Sequence, residues 1–307
     1  MTERRDPGTS TQAAGTRSRT AACISVIIPM RDAQATIGTQ LEALAAQHYE
    51  RPWEVIVADN GSSDAGRGIV HSFDTRLNLK VVDAADCPGV GAVRNRGANS
   101  AHGDLLVFID ADDAVSSNWL AAMARAATTG DLVGGRLDPA VLSPPHTLAW
   151  RDPPQPQHDL ATALGFLPYA TGACLGIWRD TFDQLDGFDE SLRFAGDDVE
   201  LCWRAQLRGY QLVRTDDALV GYRYRTSLQG SLTQAYRYGR GDIELYARFR
   251  GHIGRPRPKH LLLAYLRLLS GITALVRGAD ERGAWLWKVS NRFGRLAGSW
   301  HARVFYP

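Results

Sequence analysis

From residue 24 to about residue 127 the chain cycles between short apolar runs and longer stretches of helical periodicity. Residues 24–29 (ISVIIP) form a continuous β-branched run, the pattern of a strand covered on both faces of a parallel sheet. Residues 35–47 follow with Ile37, Leu41 and Leu44 at helical spacing. The cycle then repeats. A second strand at 53–58 (WEVIVA) ends in the turn Asp59-Asn60-Gly61-Ser62-Ser63-Asp64, and Asp64 or Ser63 can N-cap a helix running to about residue 73. A strand at 79–82, a helix at 91–99, a strand at 105–109 (LLVFI) and a helix at 118–127 complete this half. Such alternation predicts right-handed βαβ units and an α/β fold: a Rossmann-like, mostly parallel sheet flanked by helices. Ligands bind such sheets at the carboxyl ends of the strands. Pro29, Asp59 and Asp110 all fall there.

Beyond residue 130 the pattern loosens. Residues 144–157 are Pro-rich and predict a loop over the active face. Residues 198–208 can be helical, 212–214 and 218–224 are short strand candidates, and helices are expected at 231–248, 259–277 and 281–296. The first 22 residues, rich in Thr, Ser, Arg and Gly, predict a disordered leader without the apolar stretch of a secretory signal. The expected division is therefore a leader at 1–22, an α/β domain at 23–225 and a helical extension at 226–307.

A composition of 44% hydrophobic and 22% charged residues excludes a wholly disordered chain. Cys23, Cys87, Cys174 and Cys202 have neither CxxC nor zinc spacing and read as thiols of a reducing compartment. No apolar run of about 18 residues predicts a spanning helix. The net charge of +2 conceals a division: residues 222–307 hold 14 Arg and 2 Lys against 2 Asp and 2 Glu, so this segment carries +12 and the rest −10.

The acidic body supplies the candidate chemistry. Asp110 and Asp112 close an apolar strand as a DxD pair, and hard cations such as Mg²⁺ take oxygen ligands of this kind. Asp59 ends the second strand. Asp197-Asp198 stands in GDDVELCWR before a helix, where the pair can serve as a cap; mutual repulsion can also raise the proton affinity of one member and make it a base.

These residues carry a resemblance. ISVIIPMRDAQATI, EVIVADNGSSD, GVGAVRNRGANSAHGDLLVFIDADD and GFDESLRFAGDDVELCWRAQLRGY resemble, in order and spacing over residues 24–225, family 2 glycosyltransferases of the GT-A fold. The resemblance implies inverting transfer of a sugar from a nucleotide-diphosphate donor, UDP by default, to an acceptor hydroxyl. It implies that Pro29, Arg31 and Asp59 line the nucleoside pocket and that Arg94 approaches the donor. Asp110 and Asp112 become the DXD motif for Mg²⁺ or Mn²⁺, with Asp112 the direct ligand, and Asp198 becomes the base. Asp197 replaces a Glu of the family's Glu-Asp pair, and Arg31 stands where an aromatic residue is more usual. Gly172, in Thr171-Gly172-Ala173-Cys174, matches where relatives shape the acceptor side, although core packing explains that stretch equally.

Gln234 and Arg237 read Q-x-x-R-Y and resemble the QxxRW motif of processive relatives, with Tyr238 in place of Trp. Three residues apart on a helix, they can reach the acceptor or diphosphate, or lie on a solvated face. The apolar, aromatic and Arg-rich helices after residue 258 fit either an anionic membrane surface or a hairpin packed on the catalytic domain. The resulting expectation is an enzyme of glycan, cell-envelope or exopolysaccharide synthesis at the cytoplasmic membrane face, with an acceptor that can be lipid-linked and no nucleic-acid partner. A nucleotidyltransferase is disfavoured because PMRDAQAT after the first strand lacks a glycine-rich triphosphate loop. A non-catalytic sugar-nucleotide-binding protein is disfavoured by the complete carboxylate set.

Overall fold

The computed structural model describes residues 19–255 and 258–306, so the expected leader lies up to residue 18 outside the described residues. The rest of that leader is seated on the domain. Arg19 pairs with Asp180 at 2.8 Å and stacks over Trp178, and Asp104 accepts hydrogen bonds from the amides of Ala22 and Cys23.

The chain runs β1 (Ile24–Met30), α1 (Ile37–Ala45), β2 (Trp53–Asp59), α2 (Gly66–His71), β3 (Leu79–Asp83), α3 (Val90–Asn99), β4 (Leu105–Phe108), β5 (Ala114–Val115), α4 (Trp119–Ala126) and β6 (Leu132–Asp138). It continues with α5 (Pro145–Leu148), β7 (Ala161–Thr162), β8 (Pro168–Tyr169), β9 (Leu175–Trp178), α6 (Arg179–Gln184), α7 (Asp197–Leu207) and β10 (Leu212–Gly221). Three helices end the described chain, α8 (Leu228–Ile253), α9 (Pro258–Ser270) and α10 (Ala279–Ala302), with a 3-10 turn at Gly271–Val276 between the last two.

The main sheet has the order β3-β2-β1-β4-β9-β6-β10-β5. The pairs β3/β2, β2/β1, β1/β4 and β6/β10 are parallel; β9 runs antiparallel to both its neighbours, and β5 runs antiparallel to β10. Alternate residues of a strand face opposite sides, and the core divides accordingly. Val26, Ile28 and Met30 join Leu41 and Leu44 of α1 in one apolar layer, whereas Ile27 and Ile56 join Phe108, Phe188 and Leu201 in the other. Layers on both faces explain why β1 and β2 read as unbroken apolar runs.

The second half departs from the sequence expectation in detail. The two strand candidates at 212–224 are one strand, β10, with an irregularity between Arg214 and Leu219. The helix expected at 259–277 divides into α9 and the 3-10 turn. The α2 cap is Ala65, without a side-chain bond; Asp64 instead accepts from the Gly66 amide and from the Gln34 amide. The long helices α8 and α10 pack closely, while α7 docks on α8 through Val199, Trp203, Leu245 and Phe249. No helix among the described residues is long and apolar enough to cross a membrane.

Candidate active site

β1 lies between β2 and β4, so Asp59 and Asp110 flank the β1 terminus on either side, about two strand spacings or ~10 Å apart. Asp59 is buried; its Oδ1 accepts from the Ser62 amide at 3.0 Å and hydroxyl at 2.6 Å, and its Oδ2 lies 3.7 Å from Arg67. Pro29 sits opposite Ala58 in the β1/β2 register. Arg31 is exposed just beyond, donating to Asn60 Oδ1 at 3.5 Å and lying 3.9 Å from Asp32. Asp32, at a φ of 48°, braces this rim; bonds from the Ser63 amide and hydroxyl hold its carboxyl below the usual carboxylate range.

The turn after β4 gathers three carboxylates. Oxygen atoms of Asp110, Asp112 and Asp113 all lie within 4.8 Å of one another. Asp113 is fully buried; its Oδ1 accepts from the Arg223 amide at 2.8 Å, and its Oδ2 has no partner among the described residues. Burial, then the charges of Asp110 and Asp112, push its proton affinity well above that of an ordinary carboxyl. Asp112 is raised by burial and by Asp110, against the opposing charge of Arg225 at 3.3 Å. The antiparallel β5/β10 pair brings Arg223 and Arg225 to this turn, because Val220 and Gly221 pair with Val115 and Ala114.

Arg94 connects the cluster to α7. Projecting from α3 and 4% exposed, it donates through Nη2 to Asp110 at 2.9 Å and through Nη1 to Asp197 at 2.6 Å. Burial alone would favour its neutral form, but three nearby aspartates outweigh that and hold it charged. Gly172 packs flat against it: a Cβ there would stand 2.5 Å from the guanidinium carbon.

The Gly172 amide also donates to Asp198 Oδ2 at 2.7 Å, and Asp198 Oδ1 accepts from the Val199 amide at 2.8 Å. With Arg94 engaged by Asp197 and Asp110, Asp198 has no cation of its own within ion-pair distance among the described residues. Burial and the charge of Asp197 raise its pKa to about 6. Three carboxylates in the first turn of α7 (Asp197, Asp198, Glu200) are tolerated by the helix dipole and by the Arg204 partner of Glu200.

The structure thus brings Asp110, Asp112, Arg94, Asp197, Asp198 and Gly172 into one linked group, with Pro29, Arg31 and Asp59 at the adjoining strand ends. Gln234 and Arg237 meet different surroundings. Gln234 is half-buried and accepts from Arg151 at 3.0 Å, whereas Arg237 is exposed and makes no ion pair among the described residues. Asp113 completes the carboxylate turn, and only its place directly after the DxD pair could have flagged it. Nothing local to the sequence flags Arg223 or Arg225, because a pairing across about a hundred residues puts them there.

Comparison with known proteins agrees with this geometry. A family model described as Glycosyl transferase family 2 matches residues 25–185, more than half of the chain. Glycosyltransferase AglE of Haloferax volcanii is 27% identical over 294 residues, covering 89% of this chain and 95% of that protein. Among solved structures, the mannosyltransferase PcManGT from Pyrobaculum calidifontis, in complex with GDP-Man and Mn²⁺, aligns with a TM-score of 0.62 at 16% identity over 91% of this chain and 88% of its own. S. aureus TarS 1-349 in complex with UDP-GlcNAc aligns at 0.54 and 16% identity, over 92% and 93%. At these identities the two structures share the fold, of the GT-A type.

Proposed function

The chain belongs to glycosyl transferase family 2 and is a glycosyltransferase, and from that premise we propose that it moves a sugar from a nucleotide-diphosphate donor to an acceptor hydroxyl with inversion at the anomeric carbon. The observation that carries this reading is the Arg94 bridge, which ties Asp110 of the carboxylate turn to Asp197 beside Asp198. Cation-holding oxygens and a basic carboxylate therefore belong to one rigid group.

Asp110, Asp112 and Asp113 fit a divalent cation: all are hard oxygen donors, they are closely set, and one buried oxygen has no other partner. Mg²⁺ or Mn²⁺ held there would neutralise charge growing on the departing diphosphate. Asp198 Oδ2 takes the proton of the attacking hydroxyl, on the opposite side of the anomeric carbon from the leaving group, as inversion requires. Gly172 orients it through its amide, and Asp197, held by Arg94, fixes the adjoining position of α7. Pro29, Arg31 and Asp59 receive the nucleoside; Asp59 Oδ2 is the oxygen left for a base N–H, and the Arg31 plane can stack where relatives use an aromatic ring. Gln234 and Arg237 belong to the acceptor side.

Residues 23–225 form the catalytic unit, and 226–307 hold the exposed apolar and basic surface that sets it against the cytoplasmic membrane face, in glycan, cell-envelope or exopolysaccharide synthesis. The GDP-Man and Mn²⁺ of the Pyrobaculum enzyme and the UDP-GlcNAc of TarS support a metal-dependent, nucleotide-sugar reading.

A hydrolysis screen of UDP-, GDP- and dTDP-sugars, with and without Mn²⁺ or Mg²⁺, tests it. The expected result is cation-dependent release of one nucleotide, reduced at least ~100-fold by Asp112→Asn. Neither binding nor release with any donor would overturn the reading.

A further inference from the structure

Arg151 leaves the Pro-rich loop after α5 and enters a cage of aromatic rings. Its guanidinium carbon lies 4.5 Å from the ring centre of Tyr224, 5.7 Å from Tyr238 and 5.8 Å from Trp287. Gln234 accepts one hydrogen bond from Nη1 at 3.0 Å, and Nε is shut off from solvent without a partner among the described residues. No carboxylate among the described residues pairs with this cation. Arg94 holds two carboxylates, Arg204 holds Glu200 and Arg295 holds Asp242, whereas Arg240, 3.8 Å from the Phe194 ring centre and with its own Nε unpartnered among the described residues, resembles Arg151 but meets one ring rather than three.

Withdrawing a guanidinium from water is costly, and cation–π contacts offset part of that cost. The rings therefore explain why the cation is tolerated and held in place. They do not supply the anion that its planar donor fork is built to receive.

Arg151 is also close to the chemistry. Tyr224, the ring nearest its guanidinium, stands between Arg223 and Arg225, which bind Asp113 and Asp112 of the carboxylate turn. Arg151 thus stands beside the segment after β10 that closes on the carboxylate turn. The carboxylate turn with its cation already answers the donor's diphosphate, which leaves the Arg151 charge for a second anion. Trp287 comes from α10, which exposes Phe293, Leu296 and Trp300 and packs against the turn after α9, and Tyr238 comes from α8, packed on α10.

Resting on the glycosyl-transfer reading above, we propose that Arg151 binds a phosphate ester carried by the acceptor, so that the acceptor class is a phosphorylated, lipid-type molecule. Gln234 positions Arg151 and the three rings fix its plane. Donor and acceptor phosphates then have separate cations.

The full-length protein, loaded with UDP and Mn²⁺, is titrated with geranyl phosphate and with geraniol. The wild type is expected to bind the phosphate at least tenfold more tightly than the alcohol. Arg151→Gln should remove most of that preference and Arg151→Lys part of it, with UDP affinity unchanged within twofold. The wild-type comparison stands even if Arg151→Gln does not fold. Absence of a phosphate preference in the wild type overturns the proposal, as does its persistence in a folded Arg151→Gln protein. A loss of UDP affinity in Arg151→Gln would also overturn it, by assigning the residue to the donor diphosphate. Failure of the wild type to bind UDP at all would strike the glycosyl-transfer reading instead.

Discussion

Asp197 and Asp198 are neighbours in one helical turn, and what distinguishes them is a single cation. Arg94 donates to Asp197 and Asp110 with its two terminal nitrogens, so Asp197 is spent as a counter-ion. Among the described residues Asp198 receives only two backbone amides, and burial beside another carboxylate raises its pKa to about 6. A base must be unprotonated to act, and a carboxylate titrating near 6 is mostly so at neutral pH while binding a proton more strongly than an ordinary one. In the proposed reaction kcat/KM should therefore be lost as pH falls through about 6 and level off above it. Asp198→Asn should lower transfer by about 10²–10⁴-fold and abolish that limb of the profile, with nucleotide binding retained. Rates from pH 5 to 8, alongside nucleotide titration of the variant, check this; near-normal turnover in Asp198→Asn would remove the base assignment.

At the scale of elements, the α8–α10 crossing shows how tightly the C-terminal helices are joined. A Cβ on Gly294 would lie 2.1 Å from the Tyr236 carbonyl oxygen, and one on Gly239 2.1 Å from that of Asn291. Alanine in place of helical glycine ordinarily gains about 1 kcal/mol. Here the obstacle is backbone, which cannot swing aside, and overpacking costs of about 1–3 kcal/mol dominate. Gly294→Ala should therefore lower Tm by several degrees while the isolated helix propensity rises; an unchanged or higher Tm in a thermal melt would contradict the close crossing. Glycine used for contact rather than for turning also explains where sequence reading failed. Gly134 and Gly135 make β6 look like a loop, yet a Cβ on the first would stand 2.7 Å from Leu160 Cδ2 and on the second 2.2 Å from Cys174 Sγ. β1, β2 and β4 were legible because both their faces are buried, and Asp59, Asp110 and Asp112 were legible because they end those strands. Asp113's bond to Arg223, Arg225's approach to Asp112 and the Arg151 cage depend on β10 pairing and helix docking between distant segments. Local periodicity carries no trace of them. The Gln234/Arg237 pair shows the same limit: spacing by three puts both near one helix face, but the buried stripe through Ser231, Ala235 and Gly239 ends between them.

For the whole molecule, the net charge of +2 is less informative than where charge and apolar area coincide. Leu262, Leu263, Leu266, Leu269, Ile272 and Val276 of α9 and the following turn are all at least half exposed, and Phe293, Trp300 and Phe305 lie open further on. Positions 262, 263, 266 and 269 recur as i, i+1, i+4 and i+7, one face of a helix. A soluble monomer rarely leaves such a patch in water. The segment from 222 onward is also +12, so in the proposed membrane-face location an anionic bilayer would satisfy both terms: apolar side chains would enter the headgroup boundary while Arg and Lys remained among the phosphates. The two contributions separate by experiment. The full chain should float with vesicles containing anionic lipid and much less with neutral vesicles. Salt at ~0.5 M, where screening extends only a few ångströms, should weaken flotation without abolishing it, because apolar insertion survives screening. Leu266→Gln combined with Leu269→Gln should reduce it several-fold at every salt concentration. A folded wild-type chain that stays with the aqueous fraction, or that covers the patch by forming a stable dimer in light scattering, would exclude the membrane surface as the occupant of this face.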